Sequence, residues 1–217
     1  MEYTERAIIS QDWITLLLVG SLILLALARQ LYPRRFEEFI LLPVTNKYFL
    51  VQGKDNEITH PFNLLLFGVQ VISISLFIFL LLQQLNPELV ADRPWLFLQI
   101  STAYVVLVGA KYCVEKIIGI VFSIESLLNG YLYQKLSYRN VISLLFLLLN
   151  TLFFYMIKPS AAVLLGCIAV VGVVNCIALF SSYKSNRNLL IRHFFYFILY
   201  LCALEISPYF ILYKVLI

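Results

Sequence analysis

From Phe62 to Leu82 the sequence runs for 21 residues without one charged side chain. A helix of about 20 such residues matches the roughly 30 Å hydrocarbon core of a bilayer. The rest of the chain gives it nowhere else to hide. Of 217 residues, 62% are hydrophobic and 13% charged, and the mean hydropathy is +0.90. Soluble domains carry about 25% charged residues, and a chain of this size still exposes roughly a quarter to a third of its unfolded surface. Soluble, disordered, collagen-like and nucleic-acid-binding classes are therefore excluded together. The expected fold class is all-α, a polytopic transmembrane helical bundle.

Six apolar stretches set the expected spans, at about 13–30, 62–84, 95–112, 141–157, 160–182 and 193–216, within a single integral membrane domain over 1–217. Pro61 and Pro94 stand at the openings of the second and third, where a missing N–H is harmless. Pro87 lies between those two spans, and Lys158-Pro159-Ser160 predicts a tight turn joining the fourth and fifth as an antiparallel hairpin. The N-terminal stretch carries Glu2, Glu5 and Asp12 against Arg6. A secretory leader starts basic, so the first apolar run is expected to stay in the mature protein.

The net charge of +4 says little until it is distributed. The first inter-span segment holds Arg29, Arg34, Arg35, Lys47 and Lys54, the third Lys111, Lys116, Lys135 and Arg139, and the fifth Lys184, Arg187 and Arg192. Each remaining segment holds one cation: Arg6, Arg93, Lys158 and Lys214. Cytoplasmic segments collect Lys and Arg, so 12 of the 16 cations mark one face as cytoplasmic and both termini as external. An even span count demands the same arrangement.

Three groups of residues stand out as candidates. Glu205 lies near the middle of the sixth expected span, where an ionised carboxylate costs upwards of about 2.5 kcal/mol. Pro208 follows three residues later and removes the hydrogen bond to the carbonyl of Leu204, predicting a kink beside the acid. A carboxyl at a kinked helix suits a proton or cation site, or a structural hydrogen bond to another helix or subunit.

The second group is Lys111, Glu115, Glu125 and Asn129. If helix continues from Trp95 to Leu128 it covers about 34 residues and roughly 51 Å, longer than the bilayer is thick. Glu115, Ile118, Phe122, Glu125 and Asn129 would share one face of it, and Gly109 and Gly119 offer break points. The helix either projects into the cytoplasm, or the span ends near Lys111 and an amphipathic helix over about 115–135 lies in the interface. The apolar run IIGIVFSIESLL favours the interfacial arrangement.

The third group belongs to the first cytoplasmic segment, with an amphipathic stretch at about 34–50. Arg34 and Arg35 follow the membrane directly and suit anionic head groups or the ordinary positive-inside pattern. Phe36, Phe39, Tyr48 and Phe49 are apolar on a short loop, so they should lie in the interface or bind a partner protein.

Asn63, Gln70, Asn150 and Asn175 inside spans are explained by interhelical hydrogen bonds. The four cysteines, including Cys113 and Cys167, form no metal or disulfide spacing and read as small buried hydrophobes. The sequence has no phosphate-binding glycine loop, no HExxH, no GxSxG elbow and no acidic metal motif. No catalytic residue, cofactor or metal is expected, and the chain does not read as an enzyme.

The segments ALARQLYPRRFEEFI, EKIIGIVFSIESLLNGYLYQ and LYLCALEISP together resemble an uncharacterised family of six-span inner-membrane proteins of Bacteroidota, a domain of unknown function. The resemblance extends from about Ile14 to Lys214 and is most specific over Leu199–Pro208. It implies a multi-pass protein of the bacterial inner membrane and supplies no activity. The expected function is a non-catalytic subunit or adaptor of a cell-envelope complex, in a setting such as secretion or gliding machinery. Its expected partners are the lipid bilayer and other membrane subunits or further copies of itself, with no nucleic acid. The alternative is a small proton-coupled transporter built on Glu205.

Overall fold

The computed structural model describes residues 12–42, 60–91, 93–121, 125–157 and 159–185. The elements among them are helices only: α1 (Asp12–Leu31), α2 (Pro33–Ile40), α3 (Pro61–Leu85), α4 (Pro87–Ala91), α5 (Leu96–Val121), α6 (Glu125–Tyr155) and α7 (Ala161–Ser185). Among the described residues three helical stretches are long and apolar enough to cross a membrane: Asp12–Leu31, Pro61–Leu85 and Leu132–Tyr155. Ala161–Val173 is a shorter apolar stretch. The sixth expected span, 193–216, lies outside the described residues.

Local chemistry sets the helix starts. Proline occupies the first turn of α2 and α3, a position whose N–H has no partner within a helix. His60 caps α3 by accepting from the backbone N–H of Phe62 through Nδ1 at 3.2 Å. Ser160 does the same for α7, its hydroxyl accepting from Val163 N–H at 3.4 Å, and α6 and α7 pack together as the expected hairpin.

Helix α3 is the axis of the bundle and touches α1, α4, α5, α6 and α7. Its apolar side chains are buried on several faces, from Phe62 and Leu66 near its start to Phe79 and Leu80 near its end. Gly68 permits a close approach of α1: a Cβ there would sit 3.2 Å from a methyl of Leu24. Helix α7 is the opposite case. Leu164 is buried, whereas Val163, Leu165, Ile168, Val170 and Val173 all face outward.

The two ends of the bundle differ. At one end Ala28, Phe39, Phe62, Leu66 and Tyr133 form a cluster, and there the end of α1 and the start of α3 meet. At the other, the Thr15 hydroxyl meets the Tyr155 hydroxyl at 2.6 Å, and the Trp13 ring packs edge-on to Phe79 with centroids 5.2 Å apart. Arg29, Arg34 and Arg35 belong to the first end by their place on α1 and α2, and Arg93 to the second.

Two expectations change. The expected amphipathic segment at about 115–135 is not one helix, nor does one helix run from Trp95 to Leu128. Helix α5 runs through Gly109, Lys111 and Gly119 to Val121, and α6 begins at Glu125. In a single helix Glu115 and Lys135 would be about 30 Å apart, yet Lys135 Nζ stands 3.0 Å from Glu115 Oε1. The chain therefore reverses between the two helices. The segment 34–50 also differs where it is described. Its helix α2 turns Phe39 fully inward against Phe62 and Leu66, with Phe36 packed beside them. Phe39 is core, not the open partner surface expected of it, and the outward apolar residues are Ile40 and Leu41. The physical reason is that α2 runs directly off α1 through Tyr32, whose ring packs edge-on to His60 at 4.9 Å. Its apolar side thus lands on the start of α3.

Candidate functional site

A group of ionisable side chains lies between α5 and α6. On α5, Lys111 and Glu115 are four residues apart and share a face; on α6, Lys135 and Arg139 do the same. The helices are antiparallel, and Glu115 meets Lys135 across them. Moving four residues back on α5 and four forward on α6 brings Lys111 to the level of Arg139. These four, with Tyr112 and Leu136, line a cavity of about 50 Å³.

Glu115 is only 4% exposed. A carboxylate so deeply withdrawn needs a charged, hydrogen-bonded partner, and Lys135 provides it as both donor and countercharge. One turn further along the hairpin, Lys116 donates to Asn129 Oδ1 at 2.7 Å. The Nε of Arg139 is buried and has no hydrogen-bond partner. The cavity therefore has three cations, Lys111, Lys135 and Arg139, and one acid, Glu115, on its walls.

A second polar region runs through the middle of the bundle and carries no charge. Asn150 Nδ2 donates to the carbonyl of Ser73 at 2.7 Å, and Gln70 donates to the Tyr104 hydroxyl. Gln70 Oε1, Ser73 Oγ, Ser75 Oγ, Asn150 Oδ1 and the side-chain amide of Asn140 are buried without hydrogen-bond partners. A third feature is a cavity of about 680 Å³ at the Arg93 end, walled by Trp13, Phe79, Trp95 and Phe97. Its size falls in the range of small-molecule sites.

Lys111 and Glu115 stand on α5 and both line the cavity, whereas Asn129 lies on the facing helix α6. Glu125 is the first residue of α6. Arg34 is exposed and Arg35 half-buried on α2. Glu205, Pro208, Tyr48 and Phe49 lie outside the described residues. Of the two described cysteines, Cys113 is exposed and Cys167 half-buried, so neither is the core residue expected. Among the described residues no three His, Cys, Asp or Glu side chains gather as a metal site. Sequence reasoning missed Lys135 and Arg139 as the counterparts of Glu115 and Lys111. Their i, i+4 spacing was visible, but only an antiparallel turn makes the two pairs face each other. It also missed the aromatic cavity, because Trp13, Phe79 and Phe97 read individually as belt residues.

Residues 14–216 match the family model described as a domain of unknown function, DUF4271. The chain belongs to this family. The membership covers nearly all of the chain, so the α5–α6 pair and the α3 axis both fall within the family's domain. No curated protein and no solved structure matches the chain significantly.

Proposed function

We propose that this DUF4271 protein is a non-catalytic, six-span subunit or adaptor of a cell-envelope complex in the inner membrane of a bacterium of the Bacteroidota. In this reading the tip of the α5–α6 hairpin carries the partner surface. The observation behind it is an outward apolar row, Val114, Ile117, Ile120 and Val121, at the far end of α5. From Lys111 to Val121 the helix advances about 15 Å, so the row runs on past the charged cluster of Lys111, Glu115, Lys135 and Arg139. An exposed apolar row of this kind suits a protein contact. The cation partition supports a cytoplasmic hairpin tip and external termini. A secretion or gliding assembly is the kind of complex such a subunit would serve.

The test is affinity capture of the native full-length protein after mild extraction, with a differently tagged second copy present to report homo-oligomers. Wild type should retain a defined partner that Ile117→Asp and Ile120→Asp release while the protein itself stays folded. Recovery as a lone monomer under every mild condition would discard the adaptor reading.

A second reading, a small proton-coupled transporter working through Glu205 and Pro208, draws on the uncharged seam of Gln70, Ser73 and Asn150, whose unpartnered oxygens suit a polar path between helices. Full activity of Glu205→Gln in cells would end it.

A further inference from the structure

Both tryptophans of the chain, Trp13 and Trp95, wall one cavity, the space of about 680 Å³ at the Arg93 end of the bundle. It lies where α3 ends and α5 begins, with residues of the short connector between them on its wall. The walls are held in place. The Trp13 ring packs against Phe79 and Phe97, with centroids 5.2 and 5.3 Å apart, and Pro87 and Pro94 fix the backbone at either end of the connector. At roughly 30 Å³ per molecule, about twenty waters would fill the space. Each would need about two to four polar partners, and aromatic walls do not supply them. Besides the two indoles, the polar side chains on the lining are Gln83 and Arg93.

Two further features narrow what belongs there. Helix α3 has 25 residues and is about 38 Å long, more than the roughly 30 Å of bilayer hydrocarbon. Gln83 is two residues from its end, so the cavity stands where acyl chains meet head groups. Arg93 is exposed and puts a guanidinium at the cavity mouth, a donor fork suited to carboxylate or phosphate oxygens. An aromatic interior with a cationic mouth matches a molecule with an acyl chain and an anionic head. We propose that the cavity binds such an amphiphile, its chain against Trp13, Phe79 and Phe97 and its head at Arg93 and Gln83. A fatty acid and an anionic phospholipid both present this chemistry. The site lies at the end of α5 away from the α5–α6 hairpin, so it stands or falls independently of the adaptor reading.

The tryptophans supply the readout, because bromine quenches indole fluorescence only at short range. The full chain in dodecyl maltoside micelles is titrated with dibromostearic acid, with a phosphatidylglycerol carrying the same brominated chain, and with the uncharged methyl ester of the acid. The Trp95→Phe background leaves Trp13 as the fluorophore, on the cavity wall between Phe79 and Phe97. Quenching should saturate at low mole fraction with a charged probe and rise only in proportion to mole fraction with the ester. Saturation with the acid identifies a fatty acid, saturation with the phosphatidylglycerol a phospholipid, and saturation with both a site that reads chain and head charge alone. Arg93→Gln should weaken binding of the charged probe about fivefold, and Val90→Phe, which fills part of the space, should abolish saturation. If all three probes quench alike, the indole reports bulk amphiphile and the site does not exist. Unchanged affinity in Arg93→Gln would overturn the proposal as well, and saturation that survives in Val90→Phe would place the ligand outside the cavity.

Discussion

Helix α6 makes two polar interfaces with opposite chemistry. Against α3 it offers Asn150, neutral and buried, whose Nδ2 donates to the carbonyl of Ser73. Against α5, about three turns or more before Asn150, it offers Arg139 and Lys135. Depth accounts for the difference. Near the bilayer midplane only uncharged groups can be hidden at tolerable cost, and even charge pairs are rare there. At the head-group level cations can reach water or phosphate. One helix thus records the dielectric profile it crosses: charge at its entrance, amides and hydroxyls further along.

The largest test of this contrast is Glu115→Ala. Removing the buried acid deprives the half-buried Lys135 of the carboxylate 3.0 Å away, so the variant should lose about 3–5 kcal/mol. Unfolding in mixed detergent–dodecyl sulfate micelles measures that loss. Replacing both partners, as Glu115→Leu with Lys135→Leu, should recover most of it, and a double variant as unstable as the single would show that the pair is not the source. The neutral interface should respond more weakly. Asn150→Leu removes the bond to the Ser73 carbonyl and should cost about 0.6–2 kcal/mol by the same assay. If it costs as much as Glu115→Ala, the distinction by depth fails. The smallest effect belongs to the outward face of α7. Ile168→Ala alters a side chain exposed among the described residues and should shift stability by less than about 0.5 kcal/mol. A larger change would indicate that the face is covered in the native protein.

The same contrast explains what the residues reveal before any coordinates. Helices α1 and α3 are legible because an unbroken apolar run can only be a span, and prolines 33 and 61 punctuate their surroundings. The all-α class follows from the same runs. The hairpin was not legible. Phe122, Ser123 and Ile124 include neither glycine nor proline, so the pattern of Glu115, Glu125 and Asn129 reads as one continuous helical face. The reversal is recorded instead in long-range charge complementarity, Glu115 against Lys135, which no local period reports. Phe39 was misjudged for a related reason. Its apolarity was plain, but its burial depends on Tyr133, far along the chain and invisible to any window around residue 39. The match of Lys111 and Glu115 was visible because they are one helical turn apart.

The seat of α2 carries a consequence in time. Phe39 is enclosed by Ala28, Phe62, Leu66 and Tyr133, and Tyr133 emerges from the ribosome 94 residues after Phe39. At roughly 5–20 residues per second, that interval lasts on the order of 5–20 s. Until then Phe39 lacks the wall that Tyr133 provides, although Ala28, Phe62 and Leu66 are already made. The seat of α2 is therefore closed only once α6 is in place, a late step of assembly.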